Sequence, residues 1–181
     1  MKILTLVAVC SLSVLPAFAQ EGLTDQTKPH VAESDTTFLN EAWRRAVTEI
    51  KSGELATTQA GSDRVKALGD KLMVAHSAMN EELKAFARAK AVNLWGDPDN
   101  IRLSELRQLN GAAFDRAYLA DVVRRHERAV ADFDKALRGS SDPELKAMLT
   151  KHLAGLRAHL AQVKGLATPE AVAPAKAPSG L

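Results

Sequence analysis

The chain has 181 residues, 46% hydrophobic and 25% charged, with aromatics at only 4%. That is long enough for one domain with a real core. Its 24 basic and 22 acidic residues leave a formal net charge of +2, which gives no electrostatic reason to expect nucleic acid or a strongly acidic partner.

Residues 1–19 read as a cleaved signal peptide. Lys2 gives a positive start, residues 3–15 are mostly apolar, and Ala17, Phe18 and Ala19 form a small-x-small site before Gln20. The apolar run is too short to span a bilayer comfortably, so the expected address is the periplasm. The one cysteine, Cys10, falls inside this peptide. The mature chain would then hold no disulfide, no thiolate nucleophile and no Cys-ligated metal. No later run approaches the length of a transmembrane helix, so the mature protein is expected to be soluble.

Residues 20–33 are polar and read as a flexible leader. Ser34 is the expected N-cap of a first helix over about 35–59, whose apolar stripe includes Phe38, Leu39, Ala42, Trp43, Ala46 and Ile50. Ala60, Gly61, Ser62 and Asp63 make a C-cap followed by an N-cap. The link is short enough to turn the next helix back antiparallel. That second helix, about 62–90, carries Val65, Leu68, Leu72, His76, Met79, Leu83 and Phe86 at spacings of three and four. Gly96, Pro98 and their Asn and Asp neighbours break it, and Ser104 is the expected cap of a short helix over 105–109. The third long helix runs from about 112 to 138, roughly 40 Å at 1.5 Å per residue. Its stripe is Phe114, Tyr118, Val122, His126, Ala129, Phe133 and Leu137. Gly139 ends it, Asp142 caps the fourth helix and Pro143 suits its first position. Leu145, Leu149, Leu156, Leu160 and Val163 follow, with His152 or Leu153 between them. The Ala/Pro tail, 167–181, has too little apolar surface to pack and reads as disordered.

The expected fold is therefore all-α: an up-down-up-down four-helix bundle over 34–166, with a crossover and a short extra helix between the second and third long helices. If the first and third interhelix links share one end, Glu49, His76, His126 and His152 lie about 12, 15, 14 and 11 residues below it. These depths agree within roughly 6 Å. A carboxylate with neutral imidazoles suits zinc, copper or iron. The competing reading makes each histidine a hydrogen-bonded core residue and leaves Glu49 in solvent. His159 lies two turns from His152, so one metal cannot take both. Tyr118 is expected to be buried with its hydroxyl bonded, and Asp115 to cap or to pair with Arg116 or Arg88 on the surface. Glu-x-x-His is absent, which argues against di-iron carboxylate chemistry. Catalytic triads and phosphate loops are absent too, so no enzyme is expected.

Several segments are similar to a known family. They are Phe38, Leu39 and Ala42; residues 72–83 around His76; residues 111–119 with Phe114, Asp115, Arg116, Ala117 and Tyr118; His126 with Glu127; and residues 156–160 with His159. Together they resemble the domain of unknown function 4142 family over about 35–166. The resemblance implies an exported bacterial protein with a ferritin-like four-helix fold and no settled activity, and it favours His159 over His152. The family usually carries Asp before His on the second and third long helices. Here those positions are Ala75 and Arg125, and Arg125 would put positive charge near any bound cation.

These features lead to an exported ferritin-like bundle with a non-catalytic binding or stress-related role, its partner an envelope protein or a small ligand. An exposed apolar stripe would add a homodimer. The alternative is a periplasmic metal-binding protein using Glu49, His76, His126 and His159, with a divalent transition metal as cofactor and His152 as the other choice on the last helix.

Overall fold

The computed structural model of the chain describes residues 31–167. The expected signal peptide, the expected leader up to residue 30 and the tail from residue 168 lie outside the described residues. Within them the chain is all-helical: α1 (Glu33–Gln59), α2 (Asp63–Ala89), α3 (Asn100–Arg107), α4 (Gly111–Gly139) and α5 (Pro143–Leu166). No described helix is long and apolar enough to cross a membrane.

The helix ends follow local chemistry, with some differences from expectation. Asp142 caps α5 by accepting from the amides of Glu144 and Leu145, and Pro143 opens the helix. Asp99, and not Ser104, caps α3, whose helix starts earlier than expected. Ser34 does not cap α1. The helix already begins at Glu33, after Ala32, which makes no side-chain cap bond. Asp35 is instead buried and accepts from the Ser140 hydroxyl at 2.8 Å, which ties the start of α1 to the α4–α5 link.

That tie changes the topology. Ala60, at the end of α1, bridges to Gly111, at the start of α4, while the end of α2 meets the start of α5 through Lys90 and Asp142 at 2.8 Å. So α2 and α4 run the same way, and the order is up-down-down-up. The expected up-down-up-down arrangement is corrected. The physical reason lies in the α2–α4 crossover, which climbs the full length of α1. The Trp95 amide donates to Asn40 Oδ1 at 2.7 Å and the Asp99 amide to Thr48 Oγ1 at 2.9 Å. Near the far end, Gln59 Nε2 donates to the carbonyls of Arg107 and Leu109 at 3.1 and 2.9 Å. Asn40, Thr48 and Gln59 are successive rungs that satisfy crossover backbone groups.

Each long helix packs against two others, in the order α1, α2, α5, α4 and back to α1, and every neighbouring pair is antiparallel. The α1–α2 pair is the tightest because two glycines face each other. A Cβ on Gly53 would come 2.7 Å from the Gly69 carbonyl, and one on Gly69 would come 2.5 Å from the Ala56 methyl. Two apolar clusters fill the interior. One, at the α1–α2 link, holds Leu68, Leu72, Phe114, Tyr118, Val122 and Val163. The other, at the opposite end, holds Leu39, Met79, Leu83, Phe133, Leu149 and Leu156. A polar layer lies between them.

Candidate metal centre

The polar layer is made by one residue from each long helix: Glu49, His76, His126 and His159. Each histidine follows the apolar spacing of its own helix, so packing turns it inward. His76 and His126 are almost fully buried, and His159 is half-buried. His76 Nε2 and His126 Nε2 lie 3.3 Å apart. Each of the three histidines offers a ligating nitrogen within 4.8 Å of the other two.

The three rings form a near-equilateral triangle, with centroids 5.3, 5.8 and 5.7 Å apart. The centre of such a triangle lies about 3.2 Å from each centroid, the sum of an imidazole's radius and a metal–nitrogen bond of about 2.0–2.1 Å. Two nitrogens on one tetrahedral zinc stand about 3.3 Å apart, which matches the His76–His126 separation. His126 Nδ1 sits 3.1 Å from the Val122 carbonyl oxygen. Donation to that carbonyl puts the proton on Nδ1 and leaves Nε2 with a free lone pair, the arrangement second-shell carbonyls impose on ligating histidines. Nδ1 of His76 and of His159 is buried with no hydrogen-bond partner.

Burial keeps His76 and His159 neutral. Burial, with repulsion from His126, His159 and Arg125, takes His76 down to about 3 against the opposite pull of Glu49. Burial first, then His126 and Lys71, take His159 down to about 4. At neutral pH both present lone pairs, the form that binds metal.

Glu49 is where the sequence reading fails. It is neither in solvent nor in the triangle. It is buried, with Oε1 3.6 Å from His126 Nδ1, on the side of that ring away from the His76 contact. Both its oxygens are held by Arg125, Oε1 by Nε at 2.8 Å and Oε2 by a terminal nitrogen at 3.1 Å. Burial alone would raise its carboxyl, but the charge of Arg125, then of His126, and the Arg125 hydrogen bonds hold it at about 2. Arg125 also bonds Ser52 Oγ at 3.0 Å and pairs with Asp121. The expected positive charge beside the site is thus neutralised by two carboxylates. Asp121, fully buried, also forms ion pairs with Arg102 at 2.9 Å and with Arg124. The sequence reading missed it, although Arg124 and Arg125 stand three and four residues on, at helical pairing distance.

His152 is not in the layer. It sits at the other end of the interior beside Glu82, 3.2 Å away, and burial lowers its pKa. Tyr118 is buried as expected, but its hydroxyl has no hydrogen-bond partner among the described residues. Its pKa is raised by burial and then by the charge of Glu49. Asp115 is not a surface residue. It is buried and accepts from the amides of Gly61 and Ser62, both at 2.9 Å, in place of a side-chain cap on α2. The fifth histidine, His30, lies outside the described residues.

Next to the histidines is a cavity of about 20 Å³, lined by His76 and His126 and by Met79, Ala129, Phe133 and Leu156 among others. That volume holds about one water.

A family model described as Domain of unknown function (DUF4142) matches residues 20–166. None of the curated proteins matches the chain. Among solved structures, the crystal structure of a DUF305 fragment from Deinococcus radiodurans is similar, with a TM-score of 0.70 and 13% identity. The match covers 77% of this chain and 98% of that one, and at that identity the likeness is one of fold alone.

Proposed function

We propose that this chain, which belongs to the DUF4142 family of unknown function, is an exported, non-catalytic metal-binding protein of ferritin-like four-helix form. It holds one divalent transition-metal ion on His76, His126 and His159. The observation that carries the reading is the triangle of imidazoles from three helices, with two Nε2 atoms 3.3 Å apart. Like-polar groups converging in a core are costly unless something satisfies them. A cation does so for three lone pairs at once, and imidazole suits zinc and copper. Glu49 supports the site from behind His126 and is no ligand. The adjoining cavity has room for one water-sized occupant and none for an organic substrate, which favours holding an ion over turning over a metabolite. Export rests on the signal-peptide pattern of residues 1–19, and cell fractionation with the chain found in the cytoplasm would refute it.

The test uses the untagged protein, stripped with a chelator and titrated with zinc(II) and copper(II) by calorimetry. Wild type should take up about one equivalent, the capacity of a single three-imidazole centre, and His76→Ala/His126→Ala should take up none. Equal, negligible uptake by both proteins would refute metal binding.

A further inference from the structure

The cavity beside His76 and His126 has a definite surrounding. One helical turn from the histidines, toward the α4–α5 link, each long helix contributes one residue that lines the small cavity: Ala46, Met79, Ala129 and Leu156. Three are pure hydrocarbon. The fourth, Met79, is 6% exposed and stands three residues after His76 on the same face of α2. The other polar groups on the wall are committed: Arg125 to Glu49 and Asp121, Arg45 to Asp132 and Glu41. Met79 brings the one thioether among the residues that line this space.

We infer that Met79 supplies an axial thioether to the His76–His126–His159 centre and that the ion the site selects is copper(I). The inference rests on the metal-binding reading above and goes beyond it in naming the ion. A thioether is a soft, neutral ligand. It adds affinity for copper(I) and almost none for zinc(II), and a trigonal nitrogen set with a weak axial methionine is a copper geometry. The surroundings agree. Neutral ligands leave a single positive charge to be buried beside the guanidinium groups of Arg45 and Arg125, where zinc would leave two.

The experiment compares wild type with Met79→Leu, a swap that nearly conserves volume. Copper(I) affinity is measured under reductant by competition with a chromogenic copper(I) chelator, and zinc(II) affinity by calorimetry. Met79→Leu should weaken copper(I) by about tenfold, the lower end of what losing one supporting group costs a metal site, with zinc(II) unchanged. X-ray absorption at the copper edge of the wild type should contain a sulfur scatterer, a reading that does not depend on the variant folding. Equal loss for both metals, or a spectrum with nitrogen alone, overturns the role of Met79 and leaves the metal-binding reading standing. If wild type binds neither ion, the failure belongs to that reading, and this inference falls with it.

Discussion

Replacing Arg125 with Met tests the polar layer most directly. The change keeps an aliphatic stem and removes the guanidinium that holds both oxygens of Glu49 and bonds Ser52. Asp121 keeps Arg102 at 2.9 Å and Arg124, so the stranded charge is that of Glu49, which is 4% exposed. Removing one partner of a buried ion pair costs about 3–5 kcal/mol, because the other charge is left without compensation. In a domain of this size that lowers the melting temperature by about 10–15 °C, measured by circular dichroism at pH 7. The sign with pH follows from Glu49. In the wild type its pKa is about 2, below the ordinary value of 4.5. Its stabilising contribution is therefore present above pH 4.5 and is lost as pH falls toward 2. In the variant the charge and hydrogen bonds of Arg125 are gone, burial meets only the pull of His126 and His76, and the carboxyl rises from about 2. The deficit then shrinks as pH drops from neutral toward that raised pKa and below it. Adding Glu49→Gln removes the stranded charge and should recover most of the loss. A cost below about 1 kcal/mol, the worth of an exposed pair, or no recovery in the double variant, would refute the account.

The remaining predictions concern other parts of the core. Asp115→Ala frees two amides at the α1–α2 link and should cost about 2–3 kcal/mol in urea unfolding; a change under half of that would show that water replaces the carboxylate. Two glycine-to-alanine changes should differ in sign. Gly69→Ala drives a methyl against Ala56 and should destabilise by about 1–3 kcal/mol. Gly155→Ala, in α5 with nothing within 4 Å of its added Cβ, should stabilise by about 0.5–1 kcal/mol through helix propensity. The same sign at both would mean that α1 and α2 are not in close contact there. Metal-free protein should lose stability as pH falls below about 6.5. The unfolded chain then takes up protons that His76, at about 3 when folded, refuses. The slope from this residue is up to about 1.4 kcal/mol per pH unit, and a flat profile from pH 6.5 to 5 would rule out a buried neutral His76.

The helices were legible because their signals are local. Apolar spacing marks α1, α2, α4 and α5, and Asp142 with Pro143 marks the start of α5 to the residue. Partnerships between helices were not legible. Asp115 reads as a surface acid because Arg116 and Arg88 offer it surface partners, yet its partners are two amides more than fifty positions away. Glu49 reads as an edge residue because nothing near it in sequence announces Arg125. Both acids are buried by a long-range contact, and a pattern of period 3.6 carries no information about such contacts.

The choice between His152 and His159 turns on direction rather than on spacing. Counting depth from a shared end requires that end to be right, and the α4–α5 link lies opposite the α1–α2 link. His76 is counted within its own hairpin and is unaffected. His126 sits near the middle of α4, so reversing that helix leaves it in the layer. Neither residue could expose the error. On α5 the effect is decisive. His152, in the first half of the helix, moves to the far end beside Glu82, and His159, in the second half, moves into the layer. The clue was the crossover from α2 to α4. A simple antiparallel return needs only a few residues, whereas this connection carries its own helix and enough backbone to climb α1 on Asn40, Thr48 and Gln59. Once the crossover spans the long axis, α4 must start where α1 ends. The third imidazole is then His159, with Met79 and Leu156 both lying one turn toward the same end.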